Sequence, residues 1–248
     1  MYQFFIQPDN IKEDDILITD AQDVNHIKNV LRMKKGEKLA LCCEETGREY
    51  LCSLAEFEEN GIRAAIEDIN GQSRELPVKI TLFQGLPKGD KMELIIQKAV
   101  ELGAAEIVPV ATRRSVVKLD ARKAAKKVQR WNEIAKSAAK QSKRTMIPEV
   151  KPVLSWREAV EYGKSLDMLL LPYEDAEGLG HSREVLASVK GRKSLGIYIG
   201  PEGGFQKEEV EQAAEAGAQT ITLGHRILRT ETAGMAVLSI LMFMLEEN

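Results

Sequence analysis

Over the first seventy residues, apolar and polar positions tend to alternate with a period of two. The runs Gln3 to Ile6, Glu37 to Cys43, Glu49 to Phe57 and Arg63 to Ile66 read as strands, with turn signals at Lys35-Gly36, Thr46-Gly47 and Asn60-Gly61. Asn-Gly between two such runs is a strong hairpin signal, because both residues tolerate positive φ. One helix is predicted at Gln22 to Leu31. Short strands and tight turns over this length predict a small β-barrel-type module. The polar stretch Asn70-Gly71-Gln72-Ser73-Arg74-Glu75, ending at Pro77, reads as a linker and divides the chain into domains 1–72 and 73–248.

Beyond Pro77 the period changes. Ile80 to Leu86 reads as a strand, and Met92, Ile95, Ile96, Ala99 and Leu102 follow helical spacing with Gly103 as a stop. Alternation continues with strands at Glu106 to Ala111, Met168 to Leu171, Leu195 to Ile199 and Thr220 to Leu223. Helices are predicted between them at about Asp120 to Ser142, Arg183 to Val189 and Lys207 to Ala216, and a last helix ends the chain. Strand and helix in turn predict an α/β fold with a mainly parallel sheet covered on both faces. Ligands of such sheets sit beyond the carboxyl ends of the strands, which directs attention to the loops 84–90, 172–180, 200–206 and 224–232.

In the last helix Ala233, Ala236, Val237, Ile240, Leu241 and Met244 form one stripe, and Met235, Leu238, Met242 and Phe243 make the remaining surface apolar as well. A helix apolar all round must be covered all round; a monomer could bury it centrally, but a subunit interface serves at least as well, and a symmetric homodimer is expected.

Composition narrows the class. The 248 residues are 44% apolar and 29% charged, with ordinary counts of 18 Gly and 8 Pro, so a disordered or fibrous chain is excluded and a packed core is expected. Cys42, Cys43 and Cys52 are odd in number and crowded into strand-like runs, which argues for small buried hydrophobes in a reducing compartment rather than a disulfide framework or nucleophiles. They and the scattered His26, His181 and His225 lack zinc-ligand spacing, so no metal is expected. The N-terminus lacks signal-peptide features, and Met235 to Leu245 is too short an apolar run to span a bilayer. A cytoplasmic protein without a membrane partner is expected.

The formal charge of −3 hides an uneven distribution. Residues 1–75 hold 9 basic and 16 acidic side chains, whereas residues 113–144 hold 12 basic and 2 acidic. So basic a run in an otherwise acidic chain is the footprint of polyanion binding, although charge runs are more often solvated helix faces. A smaller basic cluster comprises Lys28, Arg32, Lys34, Lys35 and Lys38. Trp131 and Trp156 could stack on bases, but helical spacing puts Trp131 in the core stripe of its helix.

Three loops carry candidate chemistry. Gly85-Leu86-Pro87-Lys88-Gly89-Asp90-Lys91 follows a strand but lacks the Gly-Lys-Ser/Thr of a phosphate loop. Gly200-Pro201-Glu202-Gly203-Gly204-Phe205 follows the strand Leu195 to Ile199, and its glycines let backbone approach a flat ligand closely. Leu223-Gly224-His225-Arg226-Ile227-Leu228-Arg229-Thr230-Glu231-Thr232-Ala233 opens the apolar helix with the mixture of small, apolar and charged residues that suits a nucleobase pocket.

With Val30-Leu31-Arg32-Met33, Glu101-Leu102-Gly103 and Arg114-Ser115-Val116-Val117, these loops make the chain resemble the RsmE family of SPOUT methyltransferases across nearly its whole length. The resemblance implies methylation of N3 of a uridine in 16S ribosomal RNA within a ribosomal particle, with S-adenosyl-L-methionine as methyl donor. It implies a PUA-like RNA-binding barrel at the N-terminus, a C-terminal domain with a trefoil knot, and a homodimer. Matched by motif, the donor pocket comprises Leu171, Pro172, Ile199, Gly200, Pro201, Glu202, Gly203, Leu223, Gly224, Ile227, Leu228, Thr232 and Ala233. Tyr2 and Gln3 stand where relatives often place Arg, and Asn25-His26 where a His pair is common.

Methylating uridine N3 requires its proton to leave, so a base, or a cation that stabilises the anionic ring, is needed. Arg114, Arg229 and Glu231 are the candidate catalytic residues; Glu202 could also accept a proton if burial raised its pKa. Glu231 could instead only cap the last helix, and Arg229 only pair with it. Lys28, Arg32 and Lys34, with Lys123, Lys126 and Lys127 of the basic helix, are the candidate phosphate contacts. Two rivals remain open: a ribose 2′-O-methyltransferase and a non-catalytic ribosome-assembly protein.

Overall fold

The structure, a computed structural model, describes residues 1–70 and 74–246. It resolves into two compact units: Met1–Glu75 with Ala139–Ile147, and Leu76–Ala138 with Pro148–Asn248. Of the predicted linker, Gly71, Gln72 and Ser73 lie outside the described residues. Arg74 and Glu75 are anchored rather than loose: Arg74 Nη2 pairs with Glu49 Oε2 at 3.0 Å, and Arg144 Nε donates to Glu75 Oε2 at 2.9 Å.

The first unit is built on β1 (Tyr2–Ile6), β2 (Asp15–Ile18), α1 (Ala21–Asn25), β3 (Lys38–Cys43), β4 (Arg48–Glu58) and β5 (Gly61–Asn70). They form one sheet in the order β1-β3-β4-β5-β2, parallel between β1 and β3 and antiparallel elsewhere. Period-two alternation turns Phe4, Ile16, Leu39, Leu41, Tyr50, Cys52, Leu54 and Ile62 toward a single core. Strand β2 escaped the pattern because only four residues, directly after an acidic run, carry it; its Ile16 pairs with Ala64. Asp20 starts α1 by accepting the Gln22 and Asp23 amides at 2.9 and 3.0 Å, and the predicted helix continues as a π turn over His26–Val30. All three cysteines are buried, and burial pushes the thiols of Cys42 and Cys52 up to about 12, which removes them as nucleophiles.

The second unit comprises β6 (Lys79–Gly85), α2 (Lys91–Glu101), β7 (Glu106–Ala111), most of α3 (Ala121–Ser142), β8 (Glu149–Val150), β9 (Leu154–Ser155), α4 (Trp156–Gly163), β10 (Met168–Pro172), α5 (Leu179–Ala187), β11 (Ser194–Ile199), α6 (Lys207–Glu215), β12 (Ala218–Ile221) and α7 (Thr230–Leu245). Its sheet runs β12-β10-β11-β6-β7-β8 with every pairing parallel, and β9 also pairs with β7. The α/β expectation is met. Helix α4 was missed, although Ser155 and Glu158 form a capping box that a search for Ser-x-x-Glu would have flagged. Strand β12 starts and ends two residues earlier than expected; Thr222 leaves the ladder and its amide donates to Ser182 Oγ at 2.8 Å instead.

Trp131 and Trp156 are both core residues, at 2% and 7% exposure; Trp156 packs edge-on against Tyr198 at 5.3 Å between centroids. Helix α7 buries Val237, Leu238, Leu241 and Leu245, while Phe243 is 83% exposed and Ile240 is uncovered too. Among the described residues no helix is long and apolar enough to cross a membrane.

Candidate functional site

The carboxyl ends of β6, β10, β11 and β12 supply the site, as the parallel topology requires. At the end of β6, a Cβ on Gly85 would stand 2.6 Å from Pro201 Cδ and 2.7 Å from Pro201 N, so only glycine lets the Gly200–Gly204 turn pass this closely. The turn is closed by the Gly204 amide donating to the Pro201 carbonyl at 2.9 Å, and Gly204 itself has φ +67°. Arg114 Nη1 donates to the Gly203 carbonyl at 2.8 Å.

Helix α7 is tied to the same turn. Gln84 Nε2 donates to Thr230 Oγ1 at 2.9 Å, and Thr230 Oγ1 donates to the Gly200 carbonyl at 2.6 Å. Both residues are buried. Residues 222–229 therefore leave β12 and return to the ends of β11 and β6.

These turns enclose a cavity of about 830 Å³. Of the candidate donor-pocket residues, Pro172, Ile199, Gly200, Pro201, Glu202, Gly203, Leu223, Gly224, Ile227, Leu228 and Ala233 line it. Leu171 does not; it is wholly buried in the sheet core. Thr232 does not line it either, and is exposed on α7. Arg114 and Arg229 face the cavity, whereas Glu231 lies outside its lining.

The electrostatics correct two expectations. Glu202 is not a carboxyl raised by burial: desolvation pushes it upward, but the backbone amides of Glu202 and Lys88 and the ammonium of Lys91 outweigh that and hold it below the ordinary carboxylate range. At neutral pH it is an ionised acceptor. Nor does Glu231 pair with Arg229. Its Oε2 lies 3.3 Å from Lys91 Nζ, which also sits 3.1 Å from Glu202 Oε1. The Lys91 ammonium is held above its usual pKa, first by its hydrogen bond to Glu202. Arg229 occupies the N-cap position of α7 by backbone only, its carbonyl accepting the Ala233 amide at 2.8 Å.

Lys91, Gln84 and Thr230 were missed by the reading from sequence. Lys91 and Thr230 sit inside the two quoted motifs, but no spacing rule links residues 91, 202 and 231.

The basic residues separate into two groups. In the second unit Lys123, paired to Asp120 at 3.2 Å, and Lys126 are exposed, and Lys127 Nζ stands 5.9 Å over the Trp131 ring. Arg130, in contrast, pairs with Glu93 at 2.7 Å. In the first unit Lys28, Arg32 and Lys34 are exposed, with Lys28 Nζ 5.7 Å over Phe57 and Arg32 at φ +53°. There too, Lys140 pairs with the buried Asp23 at 2.5 Å, Lys143 donates to the Met1 carbonyl, and Arg144 is buried on Glu75. The end of the basic run is therefore structural rather than a free polyanion surface.

A family model described as an RNA methyltransferase domain matches residues 74–242, and one described as an RNA methyltransferase PUA domain matches residues 18–67. The ribosomal RNA small subunit methyltransferase E of Bacillus subtilis is 39% identical over 99% of this chain and 98% of its own. The solved structure of a ribosomal RNA small subunit methyltransferase E from Neisseria gonorrhoeae bound to S-adenosyl methionine covers 98% of both chains at 35% identity, with a TM-score of 0.83. A methyltransferase structure from Legionella pneumophila with bound S-adenosylmethionine covers 98% of this chain and 97% of its own at 31% identity, with a TM-score of 0.82.

Proposed function

Because the chain belongs to the ribosomal RNA small subunit methyltransferase E family, we propose that it transfers a methyl group from S-adenosylmethionine to N3 of a uridine in 16S ribosomal RNA. The observation that carries this reading is the convergence of the Gly200–Gly204 turn and the 222–229 segment on one cavity at the carboxyl end of a parallel sheet.

The residues fit such a donor. Pro172, Ile199, Leu223 and Leu228 offer apolar walls, and the glycine turns bring backbone to the cavity without side-chain bulk, which suits a flat adenine. When bound, the donor supplies a methyl already electrophilic on a sulfonium, so alignment is the protein's main task. Arg114 and Arg229, permanently charged and facing the cavity, would stabilise negative charge on the uracil oxygens as N3 loses its proton. Glu231 would act from behind Lys91 rather than in the cavity.

The wider reading follows the family. Residues 1–72 would form a PUA-like RNA-binding domain and 73–248 a SPOUT methyltransferase domain. Lys28, Arg32 and Lys34 of the one, and Lys123, Lys126 and Lys127 of the other, would contact RNA phosphates. A trefoil knot in the second domain is supported by the path of residues 222–229, which brings Thr230 back to hydrogen-bond Gly200 and Gln84. A homodimer is supported by the uncovered Ile240 and Phe243 of α7. The substrate would be the RNA within a ribosomal particle in the cytoplasm.

The test is transfer of labelled methyl from S-adenosylmethionine to small-subunit particles lacking the modification, followed by nucleoside digestion. N3-methyluridine is the expected product. A 2′-O-methylated nucleoside would reassign the acceptor, and failure to bind S-adenosylmethionine would leave a non-catalytic RNA-binding protein.

A further inference from the structure

Lys91 is the first residue of α2, and its ammonium touches two carboxylates from distant parts of the chain: Glu202 Oε1 at 3.1 Å and Glu231 Oε2 at 3.3 Å. Helix stability does not explain it there, since a cation in the first turn faces the positive end of the helix dipole. A gain in global stability explains it poorly too, because partly exposed ion pairs contribute little. What the contact does is geometric. Glu202 belongs to the turn that forms one wall of the cavity, Glu231 to the first turn of α7, and Lys91 itself lines the cavity.

We propose that Lys91 is a positioning residue for methyl transfer, holding the Gly200–Gly204 turn and the start of α7 in fixed register through Glu202 and Glu231. This rests on the methyltransferase reading. The two carboxylates depend on it unequally. Glu202 also accepts the Lys88 amide at 3.0 Å, whereas Lys91 is the one ion-pair partner of Glu231 among the described residues. Loss of the ammonium would therefore free Glu231, a largely buried carboxylate, more than Glu202. On the other side of the turn, Thr230 bonds Gly200, so α7 has two attachments to it, one neutral and one ionic.

The test compares Lys91→Met and Lys91→Arg in the full-length protein. Single-turnover transfer to small-subunit particles should fall about tenfold to a hundredfold in Lys91→Met, the scale of a small misalignment, and recover largely in Lys91→Arg. Thermal unfolding should stay near wild type. Without any ligand, amide hydrogen exchange in Lys91→Met should rise at residues 202–204 and 231–234. Adding Glu231→Gln to Lys91→Met should cost nothing further, since the two act as one unit. Wild-type transfer in Lys91→Met, no recovery in Lys91→Arg, unchanged exchange at both segments, or effects of Lys91→Met and Glu231→Gln that simply multiply would each overturn the proposal. If the wild-type protein itself transferred no methyl, the methyltransferase reading would fall, and the ligand-free exchange would still decide the role of Lys91.

Discussion

Thr230 Oγ1 donates to the carbonyl of Gly200 at 2.6 Å while accepting from Gln84 Nε2 at 2.9 Å, so one buried hydroxyl joins the last helix to the ends of β11 and β6. Thr230→Val keeps the shape but removes both bonds, leaving the fully buried Gln84 amide and the Gly200 carbonyl each short of a partner. A loss of about 1–3 kcal/mol is expected, or several degrees in the melting temperature. Thr230→Ser should retain most of the stability. Differential scanning calorimetry of the two variants checks this.

Gly85→Ala makes a sharper local demand. The new methyl would overlap the backbone nitrogen and ring of Pro201, so the Gly200–Gly204 turn must move while the core of the sheet stays in place. S-adenosylmethionine affinity should fall by tenfold or more, about 1.4 kcal/mol or beyond. Isothermal titration calorimetry measures it; unchanged affinity would mean that the turn does not hold the donor.

Acid should weaken the site through Glu202. Its folded pKa lies below the ordinary value of 4.5, so ionised Glu202 contributes stability that is fully present above pH 4.5 and is lost as pH falls through the lowered folded value. Glu202→Gln removes that dependence. The stability difference between wild type and Glu202→Gln should be constant near neutrality and shrink below pH 4.5, as followed by denaturant titration across pH.

The two groups of basic residues should respond oppositely. Replacing Lys123, Lys126 and Lys127 by Ala should weaken RNA binding and flatten its salt dependence by up to about two units of slope, with little effect on folding. Arg144→Ala removes one partner of a buried pair in which Glu75 also accepts the Thr145 amide at 2.9 Å, and should destabilise the first unit by about 3–5 kcal/mol. Filter binding over a salt series and chemical denaturation separate the two effects.

Periodicity was enough for elements with long, regular stripes: the paired strands β3 and β4, the helices α2, α3 and α6, and the parallel core strands β6, β10 and β11. It failed for β2, β8 and β9, which have two to four residues each and owe their conformation to pairing rather than pattern. The cavity loops were legible because glycine and proline in a strand-to-helix connection have a local conformational meaning. Eleven of the thirteen residues matched to the donor pocket line one cavity, and the two outliers each adjoin one that does.

Charge was the poorest guide. A count along the chain identified a basic helix but treated Arg144 and Lys126 alike, though one is buried on a carboxylate and the other is exposed. What the amino-acid sequence by itself determined is the alternation of strands and helices, the burial of the cysteines and of Trp131, and the loops that carry chemistry, since these follow from local periodicity and backbone preference. Only the tertiary structure decided that Glu202 stays ionised, that Glu231 answers to Lys91 rather than Arg229, and that Thr230 bonds Gly200. Electrostatic and hydrogen-bond partners are set by distances of about 3 Å between residues far apart in the chain, and no pattern along a linear chain encodes such distances.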